Sequence, residues 1–356
     1  MDKSTINHNF QKVFDPQFVF TNCCGSHNQI KSALPYFENK SLCIFEMKSE
    51  KLYVCKYFKP NEQSLLTEDF DKVLIETVKG KIPILVHSRE DTVSNQIIQT
   101  NDYEILLSDE IIAALSTDKD LHFIDIGCNI GPFTLKTAAL GRNVIAVDAN
   151  LENLKYLLQS VQINNFNSQV VIVNNAISDK RGEDTIMVVP ARNIGAGVPI
   201  SKEKLREALE CSQNWTGQNS FLQKICEAPE KTNEFIKDFQ FQANFGFGKM
   251  PMQIGPTQRS IRLDDLISIM PFKKYVIKMD IEGNEHKALR SGQILFDSFD
   301  IKFVFMEWKK MYDQNFSQVI RNFFSKRGYT MHVSINSTRQ VSPNEIPWDV
   351  VWIKRS

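Results

Sequence analysis

The stretch Leu121-His122-Phe123-Ile124-Asp125-Ile126-Gly127-Cys128-Asn129-Ile130-Gly131 decides the fold. An apolar run passes through a carboxylate into two glycines spaced Gly-x-x-x-Gly, and a helix-like segment follows. A second apolar run, Asn143-Val144-Ile145-Ala146-Val147, ends at Asp148, seventeen residues beyond Gly131. This layout predicts two parallel strands with a nucleoside-binding crevice at their carboxyl ends. The glycines let the backbone approach a ligand closely. Asp148 stands where an acid hydrogen-bonds a ribose diol.

Two ligand classes compete for that crevice. A dinucleotide needs Gly-x-Gly-x-x-Gly, because its pyrophosphate docks on the following helix N-terminus. Here Cys128-Asn129-Ile130 separates the only two glycines of the turn, and Asp125 puts a negative charge beside it. That charge repels a pyrophosphate and suits a cationic ligand end. S-adenosylmethionine, with its ammonium and sulfonium groups, is the better fit. A bare strand-to-helix turn is disfavoured by the pair of acids, Asp125 and Asp148.

Working outward, residues 119–356 alternate strands and helices at the spacing of a parallel, doubly wound α/β sheet. Strands are predicted at 121–126, 143–148, 169–174, 274–280 and 301–307. Helices fall at about 131–141, 151–164 and 314–327, and a short one at 262–268. Two closing strands, 329–335 and 348–354, read as antiparallel because only a loop joins them. A short strand covers 185–189. Residues 191–258 break the rhythm as a long polar insertion, with helices predicted at Ser201 to Cys211 and Lys231 to Gln240. Residues 1–118 read as an N-terminal α+β cap, with a hairpin in 41–58, a strand at 81–87 and a helix near 108–115.

Composition narrows the partners. Lys plus Arg equals Asp plus Glu at 42 each, so nothing points to nucleic acid. The seven cysteines, at 23, 24, 43, 55, 128, 211 and 226, are odd in number and lack a Cys-x-x-Cys pair. They read as reduced thiols, with no zinc site. The N-terminus shows no signal-peptide pattern and no apolar run has the length of a membrane span, so a cytoplasmic protein is expected. The four Asn-x-Ser/Thr sequons then carry no glycan.

Two motifs together carry a family resemblance. Phe123 to Gly131, followed far downstream by Lys278-Met279-Asp280-Ile281-Glu282-Gly283-Asn284-Glu285, resembles the FkbM-type methyltransferases. Asn175-Ala176-Ile177-Ser178-Asp179 and Ser260-Ile261-Arg262-Leu263-Asp264-Asp265-Leu266 are similar to further segments of that family. The similarity spans roughly residues 85–310. It implies a Rossmann-like, seven-stranded class I methyltransferase sheet and methyl transfer from adenosylmethionine to oxygen, on hydroxyls of sugars or polyketide-derived small molecules. It also implies that Asp125, Gly127, Asn129 and Gly131 line the methionine end, Asp148 the ribose, and Asn175 and Ala176 the adenine. The N-terminal region and the 191–258 insertion depart from the short bacterial pattern, so the acceptor is left open between a glycan and another small molecule.

Catalysis is expected at the end of the fourth strand, which lies beside the first in this fold. Asp280 is the expected base for the acceptor hydroxyl, and Glu282 orients the acceptor. A divalent cation at Asp280, Glu282 and Glu285 is the open alternative, with no metal ligand set assigned. Helix capping is the plainer reading of Glu285. Glu307 ends the fifth strand and contacts the acceptor, or else pairs with Lys309 or Lys310. His87, Arg89 and Asp91 read as a solvated loop before an acidic or sugar site. Asn193-Ile194-Gly195-Ala196-Gly197 is either a closing loop or a plain turn. Among Trp308, Trp348 and Trp352, the last belongs to the core. Methylation of a protein side chain, and a non-catalytic binding protein on the same fold, are the alternative functions. The sequence is silent on oligomeric state.

Overall fold

The computed structural model describes residues 44–49, 52–57, 71–87, 89–190, 194, 197–201, 240–243, 250–308, 314–342 and 345–355. In chain order the elements are β1 (Ile44–Ser49), β2 (Leu52–Tyr57), β3 (Asp71–Ile75), β4 (Ile82–Val86), α1 (Thr92–Thr100) and α2 (Ile105–Ser116). There follow β5 (His122–Ile126), α3 (Pro132–Ala139), β6 (Val144–Asp148), α4 (Leu151–Ile163), β7 (Val170–Asn174) and β8 (Ala176–Ile177). Next come β9 (Asp184–Pro190), β10 (Val198–Ser201), β11 (Gln240–Ala243), β12 (Met250–Ile261) and a 3₁₀ turn at Leu263–Ile269. The chain closes with β13 (Lys274–Met279), α5 (Glu285–Arg290), α6 (Gln293–Ser298), β14 (Asp300–Glu307), α7 (Gln314–Ser325), β15 (Tyr329–His332) and β16 (Asp349–Lys354).

The main sheet runs β15-β16-β14-β13-β5-β6-β7-β1-β2. Strands β14, β13, β5, β6, β7 and β1 are parallel to their neighbours in that run, and β16 is antiparallel to β14 and to β15. Seven of the nine strands, β15 to β7, form the expected class I methyltransferase sheet. The hairpin β1–β2, predicted in the cap, extends it: β1 adds in parallel to β7. That addition covers an edge of unpaired N–H and C=O groups.

Alternation along the strands explains the double winding. Ile124, Ile126, Ile145, Val147, Ile277 and Met279 pack in one cluster with side chains of α5, α6 and α7. Phe123, Val144, Ala146 and Val276 pack in another with α1 to α4. A sheet apolar on both faces must be covered on both. Helix α4 shows how its cover is encoded. Leu154, Leu157, Leu158 and Val161 share one buried face, and Asn150 caps the start by accepting the Glu152 N–H at 3.1 Å.

Two sequence expectations differ from the structure. The cap contains α1 as well as α2, because Asp91 caps a segment too short for a clear period; its carboxylate accepts the Ser94 N–H at 2.9 Å. The 191–258 insertion contributes β10, β11 and most of β12 to a second sheet ordered β10-β9-β12-β11, with β8 paired to β12. Proline and glycine hid β12. Gly255 and Pro256 fall where the β9–β12 register slips between Ile254 and Thr257, and a bulge tolerates proline. Regarding the two helices expected in the insertion, 202–211 and 231–239 lie outside the described residues. Among the described residues no helix is long and apolar enough to cross a membrane.

Asn175 joins the two sheets and the hairpin. Its Nδ2 donates to Met47 O (3.2 Å) and Arg259 O (3.0 Å), and its Oδ1 accepts the Met47 N–H (2.8 Å). Replacing it strands two buried backbone groups of Met47, each costing ~1–3 kcal/mol when unsatisfied, and a part-buried carbonyl of Arg259. Asn175→Ala is expected to lower unfolding stability by about 2–4 kcal/mol, read from urea denaturation midpoints at constant m.

Candidate functional site

Both glycines of the turn after β5 have positive φ, 81° at Gly127 and 88° at Gly131. Both are required by packing within the protein. A Cβ on Gly127 would sit 1.8 Å from Asp280 O, and one on Gly131 would sit 2.2 Å from Leu157 Cδ1. The first glycine brings the β5 turn against the end of β13. The second seats α3 against α4. Gly127 nonetheless borders the cavity described below, whereas Gly131 does not.

Between the glycines, Asn129 is left-handed (φ 53°), which asparagine tolerates better than most residues. This conformation aims its N–H at Asp148 Oδ2 (2.9 Å), and Asn150 N–H reaches Asp148 Oδ1 (2.7 Å). Each carboxylate oxygen keeps a lone pair for a further donor. Burial outweighs the two N–H bonds and pushes the Asp148 pKa up to about 6.

Asp125 lies elsewhere. It is fully buried inside β5, away from the cavity lining, and accepts Thr134 Oγ1–H at 2.7 Å. Its Oδ1 has no hydrogen-bond partner among the described residues. Burial raises its pKa, and the nearby Lys278 ammonium opposes that. The two residues are direct cross-strand neighbours. The placement of Asp125 against a ligand's cationic end is therefore replaced by placement against a protein cation. A strand residue one step from the tip turns to the opposite face from the tip residue.

A cavity of about 230 Å³ opens at the carboxyl ends of β5, β6 and β13. Asp148, Asn129, Asn175 and Ala176, by the ends of β5, β6 and β7, border it, as do Asp280, Glu282, Glu307, Trp348 and Asp349, by the ends of β13, β14 and β16. Asn175 reaches the cavity but spends its amide on the clasp already described. Lys278 Nζ underlies the junction, donating to Gly127 O (3.0 Å) and Asp280 Oδ2 (3.4 Å), 5.3 Å from the Phe133 ring. It is the one cation among the described lining residues. The acids around it hold its pKa raised in spite of burial.

The motif after β13 divides its acids. Glu282 is left-handed (φ 57°) and lines the cavity. Glu285 faces inward, 1 % exposed, and accepts the Ile281 N–H at 2.9 Å, so it braces the turn. Burial pushes its pKa up to about 7. His286 turns away, its ring stacked 3.9 Å from Phe316. Among the described residues no three His, Cys, Asp or Glu side chains are grouped to hold a metal ion. Glu307 is in register with Asp349 across β14 and β16. Lys309 and Lys310 lie outside the described residues.

Other sequence candidates separate similarly. His87 bonds Asn153 Oδ1 at 3.0 Å and lies tilted against Tyr156, Asp91 is a buried cap that also accepts the Ile194 N–H (2.9 Å), and Arg89 is exposed. Ile194 and Gly197 line the cavity, while 193, 195 and 196 lie outside the described residues. Trp308 and Trp352 are core; Trp348, 64 % exposed, borders the cavity. Cys128 is a buried free thiol. Sequence reading missed Tyr103, Glu104 and Asp349, which carry no local motif and meet the site only through the fold.

Residues 125–331, more than half of the chain, match the model of the methyltransferase FkbM domain. Among curated protein sequences none matches. Solved structures with a similar arrangement include a putative caffeoyl-CoA O-methyltransferase from Staphylococcus aureus (10 % identity, 76 % of this chain and 93 % of that one, TM-score 0.36). Another is the magnesium protoporphyrin IX methyltransferase of Synechocystis PCC 6803 with bound SAM (11 %, 70 % and 79 %, TM-score 0.33). An O-methyltransferase from Bacillus cereus in complex with SAH gives 10 %, 74 % and 91 %, with TM-score 0.34.

The raised acids set a pH dependence. Asp148 and Glu285 bind protons more tightly folded than unfolded, so the stability they contribute is complete below about pH 4 and lost as pH rises through about 6 and 7. A tenfold difference in proton affinity between the folded and unfolded chain corresponds to ~1.4 kcal/mol. Glu285→Gln keeps an acceptor for Ile281 N–H and removes the titration. Urea unfolding between about pH 5 and pH 8 is expected to show a smaller stability loss in this variant than in the parent.

Proposed function

Since this chain belongs to the FkbM family of adenosylmethionine-dependent methyltransferases, we propose that it transfers a methyl group from adenosylmethionine to a hydroxyl of a carbohydrate or other small molecule. The observation that carries this reading is one cavity bordered both by Asp148 at the tip of β6 and by the acids Asp280, Glu282 and Glu307 at the ends of β13 and β14. The donor supplies an electrophilic methyl on a sulfonium. The lining chemistry fits it: a net-negative wall suits a cation, and Asp148 keeps lone pairs for a ribose. Gly127 and Asn129 border the methionine portion, and Asn175 and Ala176 border the base.

Alignment is the main service of the protein to such a reaction. Holding donor and acceptor in line supplies ~7–11 kcal/mol of the barrier. Asp280, Glu282 and Glu307 offer acceptors for the hydroxyls of an incoming polyol, and the exposed face of Trp348 stacks on a sugar ring. A cavity of about 230 Å³ is under the ~300–1,000 Å³ usual for ligand sites, so a large acceptor remains at the mouth. That enclosure favours a small-molecule or glycan terminus over a long peptide. The odd number of cysteines and the lack of a Cys-x-x-Cys pair support a cytoplasmic setting under the same proposal.

The test is incubation with methyl-labelled adenosylmethionine and a panel of free glycans, glycoproteins and cell extract, with mass analysis of the labelled product. Label on a carbon–oxygen bond of a small molecule supports the reading; label confined to protein side chains overturns it. In that assay Asp280→Asn is expected to lower transfer by ~10²-fold or more while calorimetric adenosylmethionine binding persists. Asp148→Ala is expected instead to weaken donor binding, by about 1–3 kcal/mol for a lost hydrogen-bonded carboxylate, in the same titration.

A further inference from the structure

One wall of the cavity comes from residues that precede the family match, which begins at 125. Tyr103 and Glu104 lie in the link between α1 and α2 and both line the cavity. Glu104 is left-handed (φ 43°, ψ 58°), an unfavourable backbone for a glutamate. The link is clamped from below. Asp102 is buried, ion-paired with Lys136 of α3, and accepts the Tyr103 N–H at 2.7 Å. Lys136 Nζ also donates to Ser108 Oγ of α2 at 2.9 Å. The Tyr103 ring packs edge-on against Phe133 at 5.9 Å. This segment is thus fixed to the helix that starts at the Gly131 turn. A strained residue persists where its surroundings over-determine it, and such residues cluster at functional sites.

The groups facing Glu104 identify which end of the cavity it serves. Lys278 and Asp280 from β13 and its end, and Asp349 from β16, act electrostatically on its carboxyl, and Tyr103 acts on it from within its own link. Glu307 acts in turn on Tyr103. Burial first, then the charges of Asp280 and Asp349, raise the Glu104 pKa against the pull of Lys278. Asp280, by contrast, has its Oδ2 engaged by the buried Lys278 ammonium. A lone pair facing an ammonium is a poor receiver for a proton.

We propose that Glu104 is the general base of this site, taking the acceptor's proton while Asp280 and Lys278 orient the acceptor. The assignment rests on the methyl-transfer reading above. In the step, the acceptor oxygen bonds to the methyl carbon as the carbon–sulfur bond breaks. The electron pair of that bond returns to sulfur, leaving a neutral thioether, and the hydroxyl proton passes to the Glu104 carboxylate. The proton later leaves to solvent, restoring the base. A base whose pKa is raised toward the working pH is the more efficient one.

Two measurements test it. The first needs no acceptor: calorimetry of adenosylmethionine binding in buffers of different ionisation enthalpy, at pH values between about 5 and 7. A cation arriving beside Glu104 favours its ionised form, so the parent is expected to release more protons on binding than Glu104→Gln. Equal release overturns the proposal. The second uses the acceptor fraction labelled by the parent enzyme. Glu104→Gln is expected to cut kcat by ~10²–10⁴, keep the donor Kd within about threefold, and lose the acid limb of the pH–rate profile. Glu104→Asp keeps that limb and part of the rate. Glu104→Asn, better suited to the left-handed backbone, folds and shows the same loss as Gln. A near-parental rate in Glu104→Gln, or a slow variant with the limb unchanged, overturns the assignment. A parent that binds no adenosylmethionine at all defeats the donor reading itself, a result distinct from both.

Discussion

The seam between β5 and β13 holds the rest of the site in place. Gly127 allows the turn after β5 to lie against the backbone of Asp280, at a separation no Cβ permits. Asp280 N–H then bonds Ile126 O at 3.0 Å, and Lys278 Nζ reaches Gly127 O. A buried ammonium is costly unless paired and hydrogen-bonded. Here Asp125 on one side and Asp280 on the other supply the opposite charge. The ion group fixes two strand ends to each other, and the cavity is the space above that joint. Its value lies in geometry more than in net stability, since apolar replacements of buried ion groups are often neutral or better.

From that joint the two ends of the cavity are built by different means. The Asp148 end is local: one strand tip, one left-handed asparagine and one helix cap converge within the chain segment 129–150. The other end is assembled from afar. Strand ends β13, β14 and β16 bring acids from 280, 307 and 349, and the clamp at Asp102 and Lys136 adds Glu104 from the N-terminal side. One end is encoded in a single segment, and the other is gathered from four. Loops and insertions on a rigid sheet change specificity without disturbing the sheet.

Much of the sheet was legible because parallel strands covered on both faces read as continuous apolar runs. Val144 to Val147 and Val170 to Val173 are unmistakable in that respect. Strand β12 was not, since Pro251, Gly255 and Pro256 look like loop until the bulge is seen. The acids were legible as residues but not as roles. Asp125 and Glu285 look as functional as Asp280 in a motif, yet both turn inward to brace a strand and a turn. Asn175 reads as a ligand contact and serves as a clasp across 128 residues of sequence.

Short stretches of chain were enough to specify the class of sheet, the turn after its first parallel strand and the acid at Asp148, because periodicity, glycine conformation and capping are properties of neighbouring residues. Which carboxylates face the cavity, that Lys278 sits beneath them, and that Glu104 stands opposite emerge solely once the chain is folded. They follow from strand order and from the face each side chain takes, and contacts between residues far apart in the chain leave no mark in any local motif.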